Sequence, residues 1–117
     1  MLSAGLGASI YLSTRVTDFR KGIDGLCGEV REYLCADPLG GGLFVFYNRR
    51  RDRLKLLWWD RDGYWVCCKR LEAGTFQIPA VGGQGNICTL SAEQLQLMLY
   101  GIDLASVRHR KRYCVAA

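Results

Sequence analysis

The centre of this chain has the pattern of a β-meander. Runs of strand-forming residues occupy Leu43–Tyr47, Arg53–Trp59 and Tyr64–Leu71. The connections, Asn48–Asp52 and Asp60–Gly63, have the length and the turn-forming residues of β-hairpins. Strands joined by such short turns pair antiparallel, so the pattern predicts an antiparallel sheet that needs another layer to cover its apolar face.

Two amphipathic helices are predicted to supply that layer. The first opens at Thr17–Asp18 and ends at Asp37–Pro38, because the residue before a proline is pushed out of the helical region. Its apolar stripe is Phe19, Ile23, Leu26, Val30 and Leu34. The second helix starts at Ser91, which forms a capping box with Gln94, and stops at Gly101. Its stripe is Leu95, Met98, Leu99 and Ile102.

These elements predict one α+β domain over residues 1–104, with both helices packed on one face of a mainly antiparallel sheet. Short strands at Ile10–Leu12 and Phe76–Ile78 are expected to extend the sheet. Residues 105–117, which include the run Arg108–Arg112, are expected to form a mobile basic tail.

A cytoplasmic location is expected. The uncharged stretch before Arg15 is too short to span a bilayer and has no basic residues ahead of it, so neither a membrane anchor nor a secretory signal is predicted. The chain has 6 cysteines and a single histidine, His109, without the spacing of a zinc site. We expect free thiols and no metal or other cofactor.

Hairpin pairing assigns the side chains of the meander to two faces. We take Tyr47 to lie opposite Arg53 and Trp59 opposite Tyr64, after which alternation places every side chain. The apolar face is Phe44, Phe46, Leu54, Leu56, Trp58, Trp65, Cys67 and Leu71. The basic and aromatic face is Val45, Tyr47, Arg53, Lys55, Leu57, Trp59, Tyr64, Val66, Cys68 and Arg70.

The second face has three interpretations. Its basic and aromatic side chains suit phosphates and unstacked bases, and stacking contributes roughly 1–3 kcal/mol per base in proteins that use it. The same face could instead pack against another protein, including a second copy of this chain, or lie under the N-terminal segment. A register slip of one residue would exchange the faces.

Positive charge is concentrated in the first hairpin turn. The chain carries 16 Lys and Arg against 11 Asp and Glu, a net charge of +5. Arg49, Arg50 and Arg51 are adjacent at a turn, and arginine forks onto phosphate oxygens more specifically than lysine. Arg20 and Lys21 are expected in the first turn of the first helix, where cations are unfavourable unless they face solvent or a bound anion.

No catalytic pattern is present. The sequence has no nucleophile elbow, no phosphate-binding loop and no zinc-ligand spacing. Asp60 and Asp62 are the best carboxylate pair for a metal-dependent nuclease, but aspartate next to Gly63 is also typical of a turn. We therefore predict no catalytic residue.

Several runs resemble one family. They are Ile10–Leu12, Thr17–Leu26, Asp37–Pro38, Leu43–Phe46, Asn48–Asp60, Lys69–Glu72, Leu90–Leu95 and Gly101–Asp103. Together they resemble the small TnpB accessory proteins, the second open reading frame of insertion sequence 66-type transposable elements, over about residues 10 to 104. The resemblance implies a protein that supports transposition beside a larger transposase, which carries the catalytic carboxylates.

The resulting hypothesis is a noncatalytic accessory protein that binds DNA. Its proposed contacts are Arg49, Arg50, Arg51, Arg53, Lys55, Arg20, Lys21, Arg70, Trp59 and Tyr64. The first alternative is an adaptor that docks on the transposase without touching DNA. The least favoured alternative is a nuclease that uses Asp60 and Asp62. A homo-oligomer is compatible with each of these hypotheses.

Overall fold

The computed structural model describes residues 8–79, 85–103 and 108–109, with side chains up to residue 101. Its strands are β1 Ile10–Ser13, β2 Leu43–Tyr47, β3 Arg53–Asp60, β4 Gly63–Arg70, β5 Ile87–Leu90, β6 Ile102–Asp103 and β7 Arg108–His109. Its helices are α1 Ile23–Glu32 and α2 Ala92–Tyr100. The predicted α+β class and the three strands of the meander are confirmed.

A five-stranded sheet in the order β4-β3-β2-β1-β5 organises the chain. All pairs in this sheet are antiparallel except β1 with β2, which run parallel. Parallel neighbours need a crossover connection, and α1 provides it. The N-terminal strand therefore lies inside the sheet, between β2 and β5, and ties the meander to the second half of the chain.

The two helices contribute to different apolar clusters. Leu95 and Met98 of α2 belong to a cluster with Leu12, Val45 and Leu54, whereas α1 belongs to another. That other cluster is Leu26, Cys27, Val30, Leu34, Phe44, Phe46 and Leu57. Because Val45 and its neighbours in β2 point to opposite sides, the clusters lie on opposite faces of the sheet. The expectation that both helices cover one face is not confirmed.

The predicted register of the first hairpin is wrong by one residue. Tyr47 pairs with Leu54, and Arg53 lies opposite Asn48, whose backbone N–H donates to the Arg53 carbonyl at 3.4 Å. The Asn48 side chain explains the shift, because its Oδ1 accepts from the backbone N–H groups of Asp52 and Arg53. Asparagine closes a tight turn in this way, and the hairpin gains one more pair of opposite residues, Asn48 and Arg53.

This shift redistributes the predicted faces. Phe44 and Phe46 move to the face covered by α1, and Val45 and Tyr47 move to the face covered by α2. The second hairpin has the predicted register, with Trp59 opposite Tyr64. The basic and aromatic face therefore survives in β3 and β4 but is partly covered by α1.

Helix α1 starts later than the apolar spacing predicts. The backbone N–H of Lys21 donates to the Asp18 carbonyl at 3.2 Å, and the Asp18 Oδ1 accepts from the Arg20 backbone N–H at 3.0 Å. These bonds make a turn that ends before Gly22, so Ile23 begins the helix. Arg20 and Lys21 consequently precede the helix and do not occupy its first turn. The helix also stops at Glu32, ahead of the predicted end at Asp37–Pro38.

Helix α2 follows its predicted boundaries. Ser91 and Gln94 form the capping box, and Gly101 ends the helix with φ of 76°. The predicted strand at Phe76–Ile78 is wrong, because these residues belong to no strand. Phe76 is buried, and its backbone N–H donates to the Arg51 carbonyl at 2.7 Å. Strand β5 takes the remaining edge position instead. The predicted mobile tail lies outside the described residues, except that β7 pairs with β6.

Candidate nucleic-acid interface

A basic cleft lies between the first hairpin turn and the segment that precedes α1. Its volume is about 670 Å³, within the range of about 300–1,000 Å³ common for small-molecule sites. It is lined by Val16, Thr17, Asp18, Phe19, Arg20, Asn48, Arg49, Arg50, Asp52 and Arg53. The fold thus brings together two basic groups that are separated by about thirty positions in the chain.

Three arginines of this cleft have no acidic partner among the described residues. Arg49, Arg50 and Arg53 are exposed, and none of them is in the ion pairs formed by that part of the chain. Asp52, the nearest acid in sequence, accepts from the Asn48 amide at 2.6 Å. Unpaired guanidinium groups held near one another attract an anion, because binding it relieves their mutual repulsion.

The backbone of the arginine turn is hydrogen-bonded to the segment that follows β4. The backbone N–H of Leu71 donates to the Asp52 carbonyl at 2.8 Å, and that of Phe76 donates to the Arg51 carbonyl. Phe76 is itself buried in the cluster on the α2 side of the sheet. The turn is therefore fixed to the core, which lowers the entropy lost when its arginines bind a ligand.

Arg51 belongs to the same turn but not to the cleft. Its φ of 58° is left-handed, and its guanidinium lies 5.8 Å from the centre of the Tyr47 ring. Tyr47 belongs to the cluster on the α2 side. The three adjacent arginines are thus divided, with Arg49 and Arg50 in the cleft and Arg51 directed elsewhere.

Arg20 reaches the cleft as half of an exposed ion pair. Its Nη2 lies 2.8 Å from the Asp18 Oδ2, and hydrogen bonds from Arg20 lower the pKa of Asp18 to about 2. Exposed pairs of this kind contribute little to folding. The pair therefore adds less positive charge to the cleft than an unpaired arginine does.

Lys55 and Lys21 have structural contacts. The Lys55 Nζ donates to the carbonyls of Phe19 and Lys21, at 3.2 and 3.5 Å, and lies 4.9 Å from the centre of the Phe19 ring. It thereby fastens the cleft wall to β3. The Lys21 Nζ lies 3.2 Å from an oxygen of the buried Glu29 carboxylate. Both lysines position the site, and their availability for phosphate remains a prediction.

Arg70 lies beside the cleft on β4. It pairs across the sheet with Arg53, and its Nη2 lies 2.7 Å from the Glu72 Oε1. Like charges opposite each other destabilise a sheet, and Glu72 offsets one of the two charges here. Arg53 is left as the unpaired member and adds to the charge of the cleft.

The predicted aromatic contacts lie apart from the arginines. Trp59 and Tyr64 are half-buried and touch edge to face, with ring centres 5.0 Å apart. Trp59 is six residues from Arg53 along β3, roughly 20 Å at about 3.3 Å per residue. Tyr64 packs against the α1 cluster, and burial, followed by a hydrogen bond with Cys27, raises its pKa. Packing against α1 therefore covers much of the basic and aromatic face.

The sequence does not predict the surroundings of two residues, Trp65 and Thr17. Alternation predicts Trp65 in the core, but it is 45% exposed on the edge strand β4, where its Nε1 donates to Asp60 at 3.0 Å. The sequence predicts Thr17 only as the start of a helix, yet it is 3% exposed in the cleft wall and its hydroxyl has no partner among the described residues. No sequence signal distinguishes either position.

The carboxylate pair considered for a nuclease lies in the second hairpin turn. Asp60 ends β3 and accepts from Trp65, and Asp62 lies in the turn that follows. Within residues 8–79, 85–103 and 108–109, no group of three or more His, Cys, Asp and Glu side chains could hold a metal ion. Over the same ranges, no helix is long and apolar enough to cross a membrane. The 5 described cysteines are free thiols.

The buried carboxylate of Glu29 on α1 gives a test of local stability. The Arg15 Nη2 lies 2.7 Å and the Lys21 Nζ 3.2 Å from the Glu29 Oε1. Burial raises the pKa of Glu29, but the bonds from Arg15 and Lys21 outweigh burial and leave the pKa below its usual value of 4.5. The ionised carboxylate therefore stabilises the fold above that value, and this stabilisation is lost as the pH falls through the lowered pKa.

Glu29→Gln should lower the free energy of unfolding by roughly 1 kcal/mol at neutral pH, because Arg15 and Lys21 lose a charged acceptor but remain partly solvated. Urea denaturation at a series of pH values measures this effect. The difference from the parent chain should shrink below about pH 4.5, as the parent carboxyl takes up its proton. A difference that stays constant down to pH 3 would contradict the ionic origin of the effect.

The fold and the cleft define the class of molecule: a small α+β protein with a surface cleft lined by basic side chains. A family model described as IS66 Orf2 like protein matches residues 8–109. The uncharacterized protein y4jC of Sinorhizobium fredii (strain NBRC 101917 / NGR234) is 36% identical over 110 residues, 94% of this chain and 92% of the relative. The uncharacterized protein y4hO of the same strain is 38% identical over 103 residues, 88% of each chain. No solved structure matches the chain.

The chain belongs to the IS66 Orf2-like family. It is therefore a transposition-associated accessory protein, as the resemblance of its central run indicated. This family is that of the TnpB accessory proteins of insertion sequence 66-type elements. The cytoplasmic location and the oligomeric state stay predictions.

Proposed function

We propose that this protein is a noncatalytic DNA-binding accessory factor of transposition. The observation that carries the proposal is the cleft whose Arg49, Arg50 and Arg53 have no acidic partner among the described residues. Arginines held on a fixed turn neutralise phosphates and release condensed counterions, which gives affinity without sequence preference. Arg20 lines the cleft in an ion pair with Asp18, Arg51 lies outside the cleft over the Tyr47 ring, and Lys55 and Lys21 hold the wall.

A salt series tests this function. The parent chain should bind DNA from the ends of the element with an affinity that falls steeply as salt rises. If about five phosphates are neutralised, the log–log slope is about −4 to −5. Fluorescence anisotropy at four or more salt concentrations measures the slope. Binding that is absent at low salt, or that does not depend on salt, would contradict the proposal.

The second candidate is an adaptor that docks on the transposase without touching DNA. It is favoured by two exposed aromatic side chains outside the cleft: Trp65 on the edge strand β4 is 45% exposed, and Tyr100 at the end of α2 is 55% exposed. Lys69 of β4 contacts the end of α2, because its Nζ donates to the Leu99 carbonyl at 2.6 Å and lies over the Tyr100 ring. Copurification with the transposase after nuclease treatment, together with no DNA binding by the free chain, would favour the adaptor.

A further inference from the structure

We propose that the basic cleft binds one nucleotide of an unpaired strand, with the phosphate on the arginines and the base against the apolar part of the wall. This inference rests on the proposed function and names its substrate form. A cluster of arginines on a convex turn would suffice for a duplex backbone, whose bases are stacked inside the helix. The cavity of about 670 Å³ beside the cluster has room for more than a phosphate group.

The composition of the wall fits a whole nucleotide. Val16 is 38% exposed and Phe19 half-buried, and both line the cleft opposite the arginine turn. The two acids of the wall are already engaged, Asp18 by Arg20 and Asp52 by the Asn48 amide. The apolar side chains and the unpaired guanidinium groups therefore offer the base and the phosphate separate places.

Thr17 supplies an independent observation. Its backbone N–H donates to the Tyr47 carbonyl at 2.9 Å, which holds the residue at the end of β2. Its side chain is buried in the cleft wall, and its hydroxyl has no partner among the described residues. Buried hydroxyl groups are almost always hydrogen-bonded in folded proteins. Because Thr17 lines the cleft, a rotation of its side chain would bring the hydroxyl to a ligand oxygen there, which would provide the missing partner.

Binding to a labelled thymidine oligonucleotide, about 15 residues long, and to the duplex of the same length tests the proposal. The single strand should bind at least about fivefold more tightly. Thr17→Val should weaken single-strand binding about tenfold, the upper end of the loss expected for one hydrogen bond to a neutral base oxygen, and leave duplex binding within twofold, because a duplex keeps its bases stacked inside. Thr17→Ser, which keeps the hydroxyl, should bind like the parent chain.

Thermal unfolding separates this effect from misfolding. Thr17→Val removes an unpartnered buried hydroxyl, so its midpoint should be no lower than that of the parent chain. Thymidine monophosphate should compete with the oligonucleotide more strongly than inorganic phosphate does. Equal competition by the two would overturn the placement of the base, because the site would then recognise phosphate alone.

Arg50→Ala and Arg51→Ala form a matched pair within one turn. They remove the same charge, but only Arg50 lines the cleft. Single-strand binding should fall more for Arg50→Ala, by about fivefold relative to Arg51→Ala. Equal losses together with an unaffected Thr17→Val variant would overturn the nucleotide site but leave the DNA-binding function intact. Failure to bind either form of DNA would overturn both.

Discussion

Replacing both Arg49 and Arg50 with alanine should weaken DNA binding roughly 50-fold at ~0.1 M salt. Each phosphate contact that releases a counterion contributes somewhat under tenfold in affinity at this concentration. Both side chains are exposed, and neither has an ion pair within the residues that the structure describes, so little of their charge is already neutralised. The fold should tolerate the change, because exposed positions away from caps and core alter stability by about 0.5 kcal/mol or less.

Arg31→Ala with Arg61→Ala is the charge-matched control for this experiment. Arg31 is exposed on α1 and Arg61 in the second hairpin turn, and neither lines the cleft. The control should lose no more than about threefold in affinity, the contribution of net charge alone. If both double variants lose the same affinity, positive charge acts from the whole surface and the arginine turn has no special role.

Two leucines in one strand should each contribute about 3 kcal/mol to the free energy of unfolding. Leu54 and Leu57 of β3 are both 0% exposed, but they belong to the clusters on opposite faces of the sheet. Leu→Ala at a fully buried site costs about 3–5 kcal/mol, because the transfer free energy and the cavity add. A domain of this size has only about 5–15 kcal/mol in total, so either variant should be markedly less stable.

Urea denaturation of Leu54→Ala and Leu57→Ala therefore tests whether the sheet is covered on both sides. Leu39→Ala is the matched control, since Leu39 is 50% exposed and should change the free energy of unfolding by about 0.5 kcal/mol or less. A large cost at one leucine and less than about 1 kcal/mol at the other would mean that one face is open to solvent. That result would restore the arrangement with both helices on one side.

Local patterns predicted the strands of the meander and the second helix well. Runs of strand-forming residues and the turn residues between them define β2 to β4, and the Ser91 capping box defines the start of α2 within its own four residues. The assignment of side chains to the two faces of the sheet was less accurate, because the hydrogen bonds of the Asn48 side chain move the register of the first hairpin by one position. A single-residue shift transfers every side chain of a strand to the other face, so a small local error became a large one.

Long-range pairing set the rest of the fold and could not be predicted from local pattern. The insertion of β1 between β2 and β5 places α1 on one face and leaves the other to α2. The same pairing brings Val16 to Arg20 beside the arginine turn and creates the cleft. The run of arginines is plain in the sequence, but which of them are unpaired and which line a cavity depends on these distant contacts.

The difference in salt slope between the parent chain and the Arg49→Ala/Arg50→Ala variant shows whether these side chains touch phosphates. Removing two phosphate contacts should reduce the steepness of the log–log plot by about 2. The Arg31→Ala/Arg61→Ala control should keep the parent slope. Parallel lines for the parent chain and the Arg49→Ala/Arg50→Ala variant, at any affinity, would show that the turn does not bind the DNA backbone.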